Sequence, residues 1–247
     1  MNEELVEKVF SAYAEKNKLN CYEMKVEAGE PSPLGSHIGG VPYFPLGADY
    51  PLNDAGKPMP IFLQINFEGV NLEGYPNRGI LQVFLGECDY PTQYKVVFHQ
   101  ELTEYRDDVE FIQSEWVDEP IKLSFTPATS ILPYYPNDME LLIEAYNSIT
   151  SGKYNGEGKM ELTDKENWDA IMDKASKGIL GANIGGHSHT TQSEEFNYEK
   201  QKCLFKIDNY LDMRLRIGDM GIIWGMINNE DLASGNFDKT VVDWDCH

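Results

Sequence analysis

Ser36-His37-Ile38-Gly39-Gly40-Val41-Pro42-Tyr43-Phe44-Pro45 holds two glycines, two prolines and two aromatic residues in ten positions. Proline lacks the amide donor that a helix or a central strand needs. Glycine is used where φ is positive or where the main chain must approach something closely. The stretch therefore specifies a backbone path rather than a regular element. It lies inside an irregular run from Gly29 to Pro60, in which Asn53-Asp54-Ala55-Gly56 reads as a turn. Loops this long in a compact domain are functional or are packed by their own side chains.

The Ile38-Gly39-Gly40 triplet returns as Ile184-Gly185-Gly186. The segments behind the two triplets keep step. Phe62-Leu63-Gln64-Ile65-Asn66 starts 24 residues after Ile38, and Leu204-Phe205-Lys206-Ile207-Asp208 starts 20 after Ile184. Gly79-Ile80-Leu81 and Gly221-Ile222-Ile223 then each follow by 17. Such self-similarity predicts two related supersecondary units, residues 20–127 and 128–247, in one compact body behind an N-terminal helix over 1–19. If the two turns line a shared cleft, the ligand-binding candidates are His37, Gly39, Gly40, Tyr43, Gln64, Asn66, Gln82, Gly185, Gly186 and His187. Gln64, Asn66 and Gln82 are polar groups in apolar strands. They line a site that reads a peptide or carbohydrate, face solvent on the polar side of alternating strands, or tie down the adjacent loops.

Periodicity places the other elements. Leu5, Val6, Val9, Phe10 and Tyr13 share a helix face, with Asn2 as N-cap and an end near Lys18. Strand patterns cover Tyr22–Glu27, Ile61–Phe67, Gly79–Leu85, Tyr94–His99 and Ile121–Phe125. The acidic stretch Glu101–Glu119 reads as a surface connection with room for one more strand. Met139, Leu142, Ile143 and Tyr146 mark a second helix. Thr163-Asp164-Lys165-Glu166 is a capping box for a third, stopping at Gly178, with a glycine-rich connector over Ser151–Gly158 between them. Asp212, Arg214, Arg216 and Asp219 surround Gly218 and read as supports of a turn. Asp243–His247 reads as a fraying terminus. The expected class is α+β: mostly antiparallel sheet with flanking helices.

The chain has 247 residues, 41% hydrophobic and 12% aromatic, with 20 basic and 41 acidic side chains for a net charge of −21. That charge repels phosphate backbones and anionic bilayers, so neither nucleic acid nor membrane is an expected partner. The acidic start Met1–Leu5 lacks the pattern of a secretory signal, and the longest apolar run, Met220–Ile227, is too short to span a bilayer. A cytoplasmic monomer is expected. Cys21, Cys88, Cys203 and Cys246 are scattered and form neither a disulfide framework nor a zinc pattern.

Several of these residues carry a family resemblance. Ser36-x-Ile38-Gly39-Gly40-x-Pro42-x-x-Pro45, Gly56-x-Pro58-Met59-x-Ile61-Phe62-Leu63-Gln64-Ile65-Asn66 and Gly79-Ile80-Leu81-Gln82-Val83-Phe84 resemble the YwqG-like family of bacterial proteins of unknown function. Ile184-Gly185-Gly186, Gly218-Asp219-Met220-Gly221-Ile222-Ile223 and Asp231-Leu232-Ala233-x-x-Asn236-Phe237 extend the likeness. The family's second glycine pair is usually followed by an aromatic, a proline and a glutamine, where this chain has His187-Ser188-His189. The resemblance implies a sheet-rich fold with flanking helices and no established activity, cofactor or catalytic residues. Some relatives sit near secreted toxin systems, which implies partner binding or an immunity-like role.

His187 and His189, two apart on extended chain, are the candidate metal ligands, with His37 as the third. No G-x-S-x-G, P-loop, H-E-x-x-H or G-x-G-x-x-G pattern is present. No cofactor is implied. The leading expectation is a non-catalytic module that binds a protein or small ligand. The alternative is an uncharacterised hydrolase or metal-assisted enzyme using the histidines.

Overall fold

In the computed structural model, which describes residues 2–86, 93–131, 139–150, 162–176, 181–188 and 196–246, the chain begins with a capped helix. Asn2 accepts the Leu5 amide at 3.2 Å and caps α1 (Glu3–Asn17), satisfying one of the orphan donors of the first turn. Helices α2 (Met139–Thr150) and α3 (Leu162–Ser176) pack on it, burying Val9, Tyr13, Leu142, Ala145 and Ile171 in a helical core of their own. Thr163 lies inside α3, one residue past its start. Pro136–Asp138, the 151–158 connector and Gly178 fall outside the described residues.

The rest is one antiparallel sheet of ten strands: β1 (Lys18–Glu27), β2 (His37–Ile38), β3 (Ile61–Asn66), β4 (Ile80–Leu85), β5 (Tyr94–His99), β6 (Ile121–Ile131), β7 (Ala182–Gly185), β8 (Gln201–Asp208), β9 (Ile222–Asn228) and β10 (Val241–Asp245). Their order is β10-β9-β8-β7-β1-β6-β2-β3-β4-β5. The sheet coils until its two ends approach. The Phe98 ring of β5 lies 4.2 Å from that of Phe237, just before β10, and Trp116 meets Trp244 edge-on at 5.5 Å. One core runs through the coil, from Ile38, Phe62 and Ile65 to Leu204, Ile207 and Ile223. The short helix α4 (Asn229–Ser234) closes its end.

Four expectations change. β1 starts at Lys18, four residues before the expected Tyr22, directly where α1 ends. β6 runs on to Ile131 through Pro127, although proline weakens a strand signal. β2 covers β6 only at Ile121 and Lys122, so beyond them that flank carries no ladder for the missing N–H to break. The acidic stretch holds no named strand, only bridges from Tyr105 to Pro45 and from Val117 to Leu215. Residues 241–245 do not fray but pair with β9 as β10.

The pairing registers repeat. Gln64 pairs with His37 and Gln82, while Lys206, 142 residues on (206 − 64), pairs with Asn183 and Trp224. Ile65 and Ile207 pair with Leu81 and Ile223, at the same offset. Each ladder is interrupted at the matching place, between Ile61 and Leu63 and between Cys203 and Phe205. Each strand ends on a side chain that closes the next turn: Asn66 accepts the Glu68 amide at 2.9 Å and Asp208 accepts the Tyr210 amide at 2.8 Å. The strand before each quartet pairs with the other quartet. β1 lies on β7, with Tyr22 opposite Ile184, and β6 lies on β2, with Ile121 opposite Ile38. Residues 127 and 128, the expected seam, lie within β6.

Candidate functional site

The two glycine pairs adopt the same conformation, with φ of 65° and 87° at Gly39 and Gly40 and 71° and 68° at Gly185 and Gly186. Only glycine takes two successive left-handed positions without strain. Their surroundings also match. A β-carbon on Gly40 would face Pro120 and Pro31, and one on Gly186 would face Cys21 and Ser130; Pro120 precedes Ile121, the partner of Ile38, as Cys21 precedes Tyr22, the partner of Ile184. The turns do not share the large cleft described below: Gly186 lines it and no residue from 36 to 45 does.

The polar candidates of the first half are spent on the Pro/Gly loop. Gln64 is fully buried, and its oxygen accepts the Tyr43 amide and the Gln82 side chain, both at 2.8 Å. Its nitrogen donates to the Pro33 and Gly35 carbonyls at 2.8 and 2.7 Å. Gln82 also donates to the Tyr43 carbonyl, and Asn66 donates to the Leu34 carbonyl. The Tyr43 hydroxyl accepts the Thr103 amide at 2.9 Å. These contacts replace ladder bonds for a segment that prolines keep out of the sheet. Asn66 also lines a smaller cleft of about 830 Å³, beside the Arg78–Glu101 ion pair.

The histidines are not brought together. His37 sits in β2, where its Nδ1–H donates to the Gly39 carbonyl at 2.5 Å. His187 follows β7, across β6 and β1 from it. The Ser130 hydroxyl accepts the His187 backbone N–H at 3.0 Å and lies in hydrogen-bond contact with its Nδ1 at 3.1 Å. Tyr198 stacks edge-on against that ring and fixes Ser188 by both its N–H and its C=O. His189 lies outside the described residues, among which no three His, Cys, Asp or Glu side chains cluster as metal ligands. Asp212 and Arg214 form a paired contact at 2.8 Å, and Arg216 reaches Asp118, so these charges hold the loop before Gly218 as expected.

Burial pulls both His37 and His187 down to about 4, because an imidazolium there would lose its hydration. The folded state thus holds the neutral form while the unfolded chain protonates near 6.5. Stability is full above that value and falls as pH drops from 6.5 toward 4. Each ring is expected to remove about 2 kcal/mol between pH 7 and pH 5. Urea melts of the native chain and of His187→Gln at both pH values check this; the variant should lose about half of the histidine-dependent change. An equal loss in both would remove His187 from the account.

The large cleft, about 1130 Å³, opens where strand pairing stops. Its walls are Lys18–Tyr22 of β1, Pro127 and Ala128 of β6, the loop Asn71–Tyr75, Gly186, and Tyr198, Gln201 and Lys202 at the entry to β8. Leu72 fills the space beside Gly185, and the Tyr75 hydroxyl donates to the Cys203 carbonyl at 2.9 Å. Burial, with Glu23 nearby, pushes the Cys21 thiol up to about 11 and keeps it protonated. Behind the wall, burial lowers the Lys206 ammonium to about 8 against the opposing pull of Asp208. Apart from Gly186 these residues escaped the sequence reading. They come from chain positions as distant as 18, 75 and 202, and no local pattern joins them.

A coiled antiparallel sheet with a helical layer and a cleft lined by tyrosines, amides and aliphatic groups defines an α+β protein. The family model for a domain of unknown function, DUF1963, matches residues 36–246, and the chain belongs to that family. No curated protein matches it. No helix among the described residues is long and apolar enough to cross a membrane.

Proposed function

We propose that the protein is a non-catalytic binding module of the cytoplasm and that its ligand enters the cleft between β1 and β8. The observation that carries this reading is an asymmetry between matching places. Each pair's first glycine is covered, Gly39 by Val117 and Gly185 by Leu72, but in the first half a further segment fills the place beside it: Val117 bridges Leu215, the Asp118 N–H donates to the Arg214 carbonyl, and Arg214 donates to the Pro120 carbonyl at 3.1 Å. In the second half the same place stands open. Beside the aliphatic Leu19, Leu72, Pro127 and Ala128, the polar groups facing it are amides, phenols, two ammoniums, one carboxylate and a protonated thiol. They suit hydrogen bonding to a ligand better than attack on one.

We also infer that the two halves are copies of one unit, an internal duplication in which the first strands β1 and β6 have been exchanged. The repeated register, the matching ladder interruptions and the exchanged neighbours of Gly40 and Gly186 support this. On this reading the second unit begins near Ile121 rather than at 128. The kinship with YwqG-like proteins, and an immunity-like role among bacterial relatives, belong to the same proposal. The alternative of a hydrolase using His37, His187 and His189 finds, among the described residues, only His187 beside a hydroxyl, that of Ser130. Ser130 is 5% exposed, accepts a backbone N–H and does not line the cleft, which favours a structural role.

Ala128→Trp should fill the cleft from its half-exposed β6 wall. Thermal melts in fractionated native lysate test the proposal. The native chain should melt about 5–10 °C higher in the fraction that holds the ligand, as expected for a ligand near a hundred times its Kd. Ala128→Trp should not respond. An equal response in both would place binding elsewhere.

A further inference from the structure

The cleft is a gap in a sheet. β7 pairs with β1 only at Cys21–Glu23 and with β8 only at Ala182 and Asn183, then leaves the sheet at Gly185 and Gly186. Lys18, Leu19 and Asn20 therefore pair with β6 on one side and face no strand on the other. Gln201 and Lys202 likewise pair with β9 alone. All five residues line the cleft. Because β7 holds β1 and β8 apart, the gap beyond it is two strand spacings wide, about 9.5 Å, which is room for one extended chain. Tyr75 already plays the missing strand's part nearest Gly185, where its hydroxyl satisfies the Cys203 carbonyl that faces the gap. Past it, the Lys18 and Gln201 N–H groups are held by the Ala14 and Asn197 carbonyls, and no strand among the described residues pairs with this flank of Lys18–Asn20. In a protein of net charge −21, Lys18 and Lys202 stand on opposite sides of the far mouth; Lys18 also pairs with the exposed Glu15 at 2.6 Å, and Glu73 is the one acidic residue in the walls.

We propose that this gap takes an extended peptide segment of another protein as an added strand, antiparallel to β1 and β8, with an acidic side chain lying between Lys18 and Lys202. Main-chain hydrogen bonds to two strand edges supply the affinity, and the two ammoniums supply the preference for the carboxylate. The proposal rests on the cleft being the binding site and adds the class of occupant.

A display library of random octapeptides, linked at both ends so that no terminus is free, tests it on the intact chain. Acidic residues should be enriched, and a synthetic, amidated peptide from the pool should bind by fluorescence anisotropy. N-methylation of alternate amides should weaken that peptide at least tenfold, as should the Lys18→Glu/Lys202→Glu variant. The Asn20 amide should exchange with deuterium at least tenfold more slowly in the complex. No enrichment, or binding indifferent to N-methylation or to the lysine reversals, overturns the peptide strand. If the lysate fraction still stabilises the native chain and not Ala128→Trp, the cleft remains a binding site for another ligand class. If neither response appears, both readings fall.

Discussion

Replacing Gln64 with leucine is expected to cost about 4 kcal/mol of stability and to lower the melting temperature by about 10 °C. The side chain is fully buried and makes four hydrogen bonds: two accepted, from Tyr43 and Gln82, and two donated, to Pro33 and Gly35. Leucine matches its bulk but leaves a backbone amide, two carbonyls and the Gln82 amide without their partner. Each such group costs about 1–3 kcal/mol when buried, and apolar burial offsets part of the total. The loop from Pro33 to Tyr43 should loosen, seen as faster amide exchange at Tyr43. Combining Gln64→Leu with Gln82→Leu should cost less than the sum, because the two amides share one bond. A loss below 1 kcal/mol would mean that water replaces these contacts, and would return Gln64 to the list of ligand-binding candidates.

Gly186→Ala is expected to cost about 2–5 kcal/mol, and Gly40→Ala about 1–2, although the two glycines share one backbone conformation. Both variants bear the left-handed penalty. They differ in what the new methyl meets. At Gly40 the nearest atom is 3.4 Å away, an ordinary contact. At Gly186 the methyl would lie 2.6 Å from the Ser130 Cβ and 3.0 Å from the Cys21 Cβ. Neither is the free end of a flexible side chain, so β1 and β6 must shift. The shift acts on the Ser130–His187 contacts and on the cleft wall together. Urea denaturation of the two variants, read as a difference, checks the prediction. Equal losses would show that the second turn yields at no cost and does not rigidly position the cleft.

Both expectations separate what neighbouring residues set from what the packed sheet sets. The helix capped by Asn2, the strands over Ile61–Asn66, Ile80–Leu85 and Tyr94–His99, and the two glycine turns were legible because each is set by neighbours a few residues apart. The repeat of spacings was also visible, since equal loop lengths hold Asn66 and Asp208 in matching places. Gln64, Asn66 and Gln82 were recognised as unusual polar groups, and their alternative role as loop anchors is the one they occupy. By itself the sequence determined the class of fold, most of the local elements and the two glycine turns. Only the tertiary structure decided that β1 and β6 cross to opposite quartets, that Pro127 is tolerated in a strand, and that a gap opens between residues 18–20 and 201–202. Those outcomes depend on which strand lies on each flank. Pairing between segments some 180 residues apart is fixed by the packing of the whole sheet, on which no short pattern reports.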